Sequence, residues 1–149
     1  LNHFEDKIGK PQTDDFELKD LGKLTYFYPC LINFDGDLSF LKYCTNLEYV
    51  DFAGLNLVDI SDLKHLKNLI KLDLSHTNIN SIDALKSLAN IESLNLGNCN
   101  TVSLSPLFHH NKLKKIVLVC CGIIASCAAV LVLLRMMLMI AFPALGVCA

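Results

Sequence analysis

A solenoid of short stacked α/β units, with parallel strands on a concave face and helical returns behind it, is the fold the sequence predicts. Three observations predict it. Apolar residues recur at a fixed distance, with unit starts at Leu24, Leu47, Leu69, Ile91 and Leu113 spaced 23, 22, 22 and 22 residues apart. Within each unit the period changes: LIKLDLSHTNINSIDALKSLAN, residues 69–90, places Leu72 and Leu74 two apart, then Ile79, Ile82, Leu85 and Leu88 in steps of three. The first spacing is that of a strand and the second that of a tight helical return. Each return also begins with a side chain able to cap a helix, Ser39, Ser61, Asp83 or Ser105, and Pro106 follows the last of these at a first helical position. A unit of this kind cannot bury its apolar edge alone, so its neighbours must stack on it.

Taken in order, residues 1–12 lack periodicity, contain Gly9 and Pro11, and read as a flexible leader without the apolar run of a secretory signal. Residues 13–23, TDDFELKDLGK, suit a short helix with Asp14 or Asp15 near its start, and the span 1–23 is expected to be the leader and polar N-terminal cap of the array. The repeats occupy residues 24–118. The first is the least regular, with one extra residue in FDGD and Pro29 at a strand position, which only an edge strand tolerates. The second and third keep the pattern through Val50, Phe52, Leu57 and Ile60, then Leu72 to Leu88; the fourth carries Leu94, Leu96, Leu104 and Leu107. Leu113, Ile116 and Leu118 open a fifth strand, and Asn46, Asn68 and Asn90 are expected to turn the chain out of three returns.

These residues resemble the leucine-rich repeat superfamily, in particular the 22-residue class found in bacterial internalins and in a regulatory subunit of protein phosphatase 1. The resemblance covers residues 24–118. It implies the solenoid fold, and an Asn at the ninth position of each unit that bonds backbone inside the turn. Here that position is Ile32, Leu55, Thr77 and Cys99, and Asn falls one place later at Asn33, Asn56, Asn78 and Asn100. Thr and Cys can stand in for the turn-bonding side chain. Leu55 cannot, so the second turn is expected to be looser or differently built.

Outward strand positions should form columns on the concave face: Tyr26, Tyr49, Lys71, Ser93 and Lys115, then Tyr28, Asp51, Asp73 and Asn95, flanked by Ser75, His76 and Asn98. Tyrosines beside mixed polar groups are what a protein-binding surface offers. Tyr26, Tyr28, Tyr49, Asp51, Lys71, Asp73, Ser75, His76, Asn95 and Asn98 are therefore the expected partner-binding set. Asp51 and Asp73 could meet across strands as a paired-acid site, but solvated acids beside Lys71 are the better reading. No nucleophile motif or phosphate loop occurs, and His109-His110 has no second ligand pair nearby, so neither catalysis, cofactor nor metal is expected. Cys30, Cys44 and Cys99 are single and scattered, which suits small core residues in a reducing compartment. The first 115 residues hold twelve Lys and Arg against fifteen Asp and Glu, without a basic stripe, which argues against nucleic acid.

Residues 116–149 differ sharply, with 29 apolar residues of 34 and Arg135 as their one charge. The reading places an apolar C-terminal helix in residues 119–149, as a membrane span over 119–142 ended by Pro143 and contacting lipid. Lys112, Lys114 and Lys115 at its near end would keep the repeats cytoplasmic. A soluble regulatory or adhesion-type fragment, cytoplasmic or secreted, with a non-native tail is the alternative; a buried helix closing the array is the third reading.

Overall fold

The computed structural model describes residues 18–29, 34, 36–100 and 103–119. Five parallel strands form one sheet in sequence order: β1 (Tyr26–Phe27), β2 (Tyr49–Asp51), β3 (Lys71–Asp73), β4 (Ser93–Asn95) and β5 (Lys115–Val117). Tyr26, Tyr49, Lys71, Ser93 and Lys115 stand in one register column. Phe27, Val50, Leu72, Leu94 and Ile116 form the next. The phase read from the sequence is the register of the sheet. The first unit has one residue more between its strand and its return than the second has, and within that stretch Gly36 has φ 85, a left-handed conformation that costs glycine little. Pro29 lies beyond the end of β1, which is an edge strand, so no ladder bond is lost.

Behind the sheet run 3-10 returns at Leu18–Lys23, Ser39–Tyr43, Ser61–His65, Asp83–Ser87 and Ser105–Leu107. They are 3-10 turns because so few residues fit between two apolar anchors three apart. Leu63 N–H donates to Ile60 O at 3.0 Å and Leu66 N–H to Leu63 O at 2.9 Å, and Leu85 and Leu88 repeat this on Ile82 and Leu85. Between sheet and returns the apolar positions stack in columns. Val50, Leu72 and Leu94 are buried one above another, as are Phe52, Leu74 and Leu96, and Leu63, Leu85 and Leu107. Full burial of each such side chain is worth about 1.5–3 kcal/mol. At the N-terminal end Phe27 meets Phe40 at 5.2 Å and Phe52 at 5.9 Å between ring centroids, all edge-on, while Leu21 of the first return is fully buried. That return makes residues 18–23 a seal over the first unit. The leader and residues 13–17 of the expected cap lie outside the described residues.

The returns are capped, but not by the residues expected. Ser39, Ser61, Asp83 and Ser105 are first helical residues, and none of their predecessors, Leu38, Ile60, Ile82 or Leu104, makes a side-chain cap. The acceptors stand two residues earlier. Asp37 and Asp59 take the N–H of Ser39 and Ser61 at 2.9 and 2.8 Å; Ser81 and Ser103 take those of Asp83 and Ser105 at 3.2 Å each. The offset arises because the apolar anchor must immediately precede the turn, leaving the capping side chain outside it.

Asn46, Asn68 and Asn90 also act differently from expectation. Positive φ among described non-glycine residues occurs at His76 and Asn98, so these asparagines do not turn the chain through the left-handed region. Their amides reach the previous unit instead. Asn46 donates to Gly22 O at 2.7 Å, Asn68 to Thr45 O at 3.0 Å and Asn90 to Lys67 O at 2.8 Å. Lys112, next in the column, donates to Asn90 Oδ1 at 2.7 Å. Asn68→Gly distinguishes the two roles: a helix-exit role tolerates glycine, whereas loss of the inter-unit bond lowers stability by about 1 kcal/mol, read by urea unfolding.

Candidate protein-binding face

The outward columns form the face the sequence anticipates, with one end aromatic. Tyr26 and Tyr28 are 53% and 44% exposed. The Tyr26 ring lies 5.2 Å from that of Tyr49 and 6.4 Å from that of Tyr28, tilted in both cases. Lys71 Nζ stands 5.9 Å from the Tyr49 ring centroid, within cation–π range. Burial, and then the negative charge of Asp51, hold the Tyr49 hydroxyl above its ordinary pKa, so it remains a phenol. Beside this cluster a depression of about 420 Å³ opens over β2 to β5, lined by Tyr49, Lys71, Asp73, Ser93, Asn95, Lys115, Leu72 and Val117.

The second column does structural work that its composition does not announce. Asp51 Oδ1 accepts the N–H of Ala53 at 2.9 Å, Asp73 Oδ1 that of Ser75 at 2.8 Å, and Asn95 Oδ1 that of Gly97 at 3.0 Å. Each is the same short side-chain turn, and it bends the chain out of the strand. Asp73 takes two further bonds, from Ser75 Oγ at 2.6 Å and from Asn95 Nδ2 at 2.8 Å. Asp51 and Asp73 are register partners, as the paired-acid alternative required, yet Asp73 has both oxygens committed to the fold.

Ser75, expected to face a partner, is 8% exposed and belongs to that turn. The small side chain is required where the chain folds inward. Below it, Gly54, His76 and Asn98 share one column at φ 75, 57 and 57. Asn and His tolerate this region better than most residues, which is what places His76 and Asn98 here. Their side chains stay exposed, with Asn98 Nδ2 and His76 Nε2 3.2 Å apart. The N–H groups of Gly54, His76 and Asn98 donate to Ser75 O, Gly97 O and Val119 O at 2.8, 2.8 and 2.7 Å.

The ninth-position substitutes behave as expected. Thr77 Oγ1 donates to Leu74 O at 2.6 Å, and the buried Cys99 thiol approaches the same carbonyl at 3.0 Å. At Leu55 the ladder is not loosened; the turn closes by backbone, with Leu57 N–H on Leu55 O at 2.8 Å. Ile32 and Asn33 lie outside the described residues. Cys44 is a fully buried core thiol, its pKa pushed up to about 12 by burial. His110 ends the core column of Cys44, Leu66 and Leu88; it is 6% exposed, and its Nε2 donates to Leu85 O at 2.9 Å. Among the described residues no group of three His, Cys, Asp or Glu is placed to hold a metal ion.

Sheet, returns and turn ladder together define a parallel-strand repeat solenoid. A family profile described as "Leucine Rich repeats (2 copies)" matches residues 67–116. Among solved structures, an internalin (InlF) from Listeria monocytogenes aligns with TM-score 0.67 and 26% identity over 79% of this chain and 35% of its own. The functional domain of InlJ from Listeria monocytogenes, which includes a cysteine ladder, aligns with TM-score 0.60 and 19% identity over 75% of this chain and 24% of its own. Residues 67–116 thus carry leucine-rich repeats by that profile, and the fold over most of the described residues is similar to that of the internalin repeats. It spans about a third of the InlF chain and a quarter of the InlJ chain. The comparison with curated proteins gives no match.

Asp73→Ala is expected to destabilise the protein by about 2 kcal/mol in urea unfolding, because it strands the Ser75 N–H and hydroxyl in a buried turn. An effect within about 0.5 kcal/mol, the range of ordinary surface substitutions, would show Asp73 to be a solvated surface acid.

Proposed function

We propose that the chain is a non-enzymatic protein-binding module whose concave face, centred on Tyr26, Tyr28, Tyr49 and Lys71, contacts a protein partner. The observation that carries this is the exposed tyrosine cluster beside an open depression on the face of a rigid sheet. Tyrosines supply large contact area at small entropy cost. Their backbone is fixed by the ladder, so little ordering remains to oppose binding. Of the remaining expected residues, His76 and Asn98 lie at the rim, Asp51, Asp73 and Asn95 shape the floor, and Ser75 supports it from within.

The test is capture by the full chain, with identification by mass spectrometry and titration of the purified partner. Tyr26→Ala with Tyr49→Ala is expected to weaken that partner at least about tenfold, since buried interface tyrosines carry energies of about 2 kcal/mol or more. Tyr43→Ala, at a tyrosine 42% exposed on a return, should leave it unchanged. The opposite pattern would put the binding surface on the returns.

A membrane tether is the second part of the proposal, and it is supported by the charge-free run over residues 116–134. Its expected position, 119–142, falls outside the described residues except at Val119, and no helix among the described residues is long and apolar enough to cross a membrane. Strand β5 and the bond accepted by Val119 O commit residues 115–119 to the array, so a span starts after them. Carbonate extraction of membranes from cells expressing the full chain should leave it in the pellet; release into the supernatant refutes the tether and leaves the binding face untouched.

A further inference from the structure

The polar groups around the depression divide into those engaged by the fold and those left over. Asp73 has both oxygens bonded, Asn95 spends Oδ1 on Gly97 and Nδ2 on Asp73, and Glu92 at the foot of β4 is paired with Lys114 at 2.8 Å. The remainder are donors. The Lys115 ammonium and the Ser93 hydroxyl have no hydrogen bond or ion pair among the described residues. Lys71 meets the Tyr49 ring and adds to the positive field at Glu92, with no ion pair of its own among the described residues. Lys71, Ser93 and Lys115 are consecutive in one register column. Neighbouring strands lie about 4.8 Å apart, so the two lysine backbones are about 10 Å apart with the hydroxyl midway. Two flexible ammonium groups at that spacing can converge on one group above Ser93.

Resting on the concave-face reading, we infer that this side of the depression receives a carboxylate side chain of the protein partner, held by Lys71 and Lys115 over Ser93. The ring of Tyr49 covers the apolar stem that carries it. A ligand that accepts hydrogen bonds is favoured here, because the oxygens of Asp73 and Asn95 that line the depression are bonded into the fold while the two ammonium groups can only donate. Negative charge is favoured by two ammonium groups without an ion pair among the described residues, yet Asp51 and Asp73 stand on the next column. Those acids offset part of the lysines' field, so attraction rises only in proportion to ligand charge while the cost of desolvation rises faster, and a singly charged carboxylate fits better than a doubly charged phosphate.

The test uses fluorescence anisotropy with the full chain and three labelled pentapeptides: glutamates flanking a leucine, the glutamine counterpart, and the phosphoserine counterpart. The glutamate peptide is expected to bind, to weaken with added salt, and to lose at least about tenfold on replacement by glutamine or with Lys71→Ala plus Lys115→Ala. Both lysines are exposed, and an unchanged unfolding midpoint shows that the variant folds. Equal binding of the glutamine peptide, indifference to the double lysine variant, no saturable binding, or binding by the phosphoserine peptide alone each overturns the inference. The Tyr26→Ala plus Tyr49→Ala variant separates the two levels. Binding lost there but kept in the lysine variant sinks the carboxylate assignment and leaves the concave face standing, whereas binding kept in both variants sinks both.

Discussion

The backbone ladder between successive units is the constraint on which the rest of the molecule depends. Ile70 and Lys71 N–H groups share Glu48 O, Glu92 and Ser93 share Ile70 O, and Lys114 and Lys115 share Glu92 O, all between 2.8 and 3.1 Å. The ladder then continues past the strands through Phe52, Leu74 and Leu96 into the turns. A bond pattern repeated at this pitch allows one register, and a slip of one residue would turn every apolar side chain outward. Phe27, Val50, Leu72 and Leu94 are consequently all buried in one column although their shapes differ. Although the first unit carries an additional residue, Phe27 still pairs with Val50.

The apolar architecture was legible in the sequence for that reason. Burial demands the same residue class at the same phase, so Leu72 and Leu94 announce their neighbours. Hydrogen-bond roles were less legible, because Asp, Ser and Asn each serve several local geometries. Asp59 and Ser61 sit two residues apart and either could cap the return; the anchoring of Ile60 between them decides for Asp59. Asn68 is equally suited to ending a helix and to bridging units, and only the stacked Thr45 carbonyl beneath it settles the matter. Asp51, Asp73 and Asn95 looked like surface polar groups, since an outward strand position is outward in either role. The recurring small residue two places on, Ala53, Ser75 or Gly97, was the available signal that the column closes a turn.

That second role changes what the outward face of the sheet can offer. Groups bonded into the turns are fixed, and they shape the surface more than they reach across it. Adaptable contacts come from the first column, where tyrosines give way to lysines on passing from β1 to β5. The sheet therefore presents a gradient, aromatic and near two carboxylates at one end, cationic and donor-rich at the other. On the proposed reading such asymmetry would fix the direction of an extended partner segment, because reversing it would set like charges together.

At the far end of the array, two structures compete for residues 116–119. A membrane helix beginning at Ile116 would bury these apolar side chains in lipid, but it would withdraw Val117 O and Val119 O from the N–H groups of Leu96 and Asn98, bonded at 2.9 and 2.7 Å. Leu96 is fully buried, so its N–H would be left without a partner where water cannot reach, at a cost of about 1–3 kcal/mol. The Glu92–Lys114 and Asn90–Lys112 bonds hold the start of the same segment against β4 and its return. Ile116 already packs against the core in the strand arrangement. Membrane insertion would add burial chiefly at Val119, 64% exposed here, while breaking the ladder at two bonds, and the strand prevails through Val119.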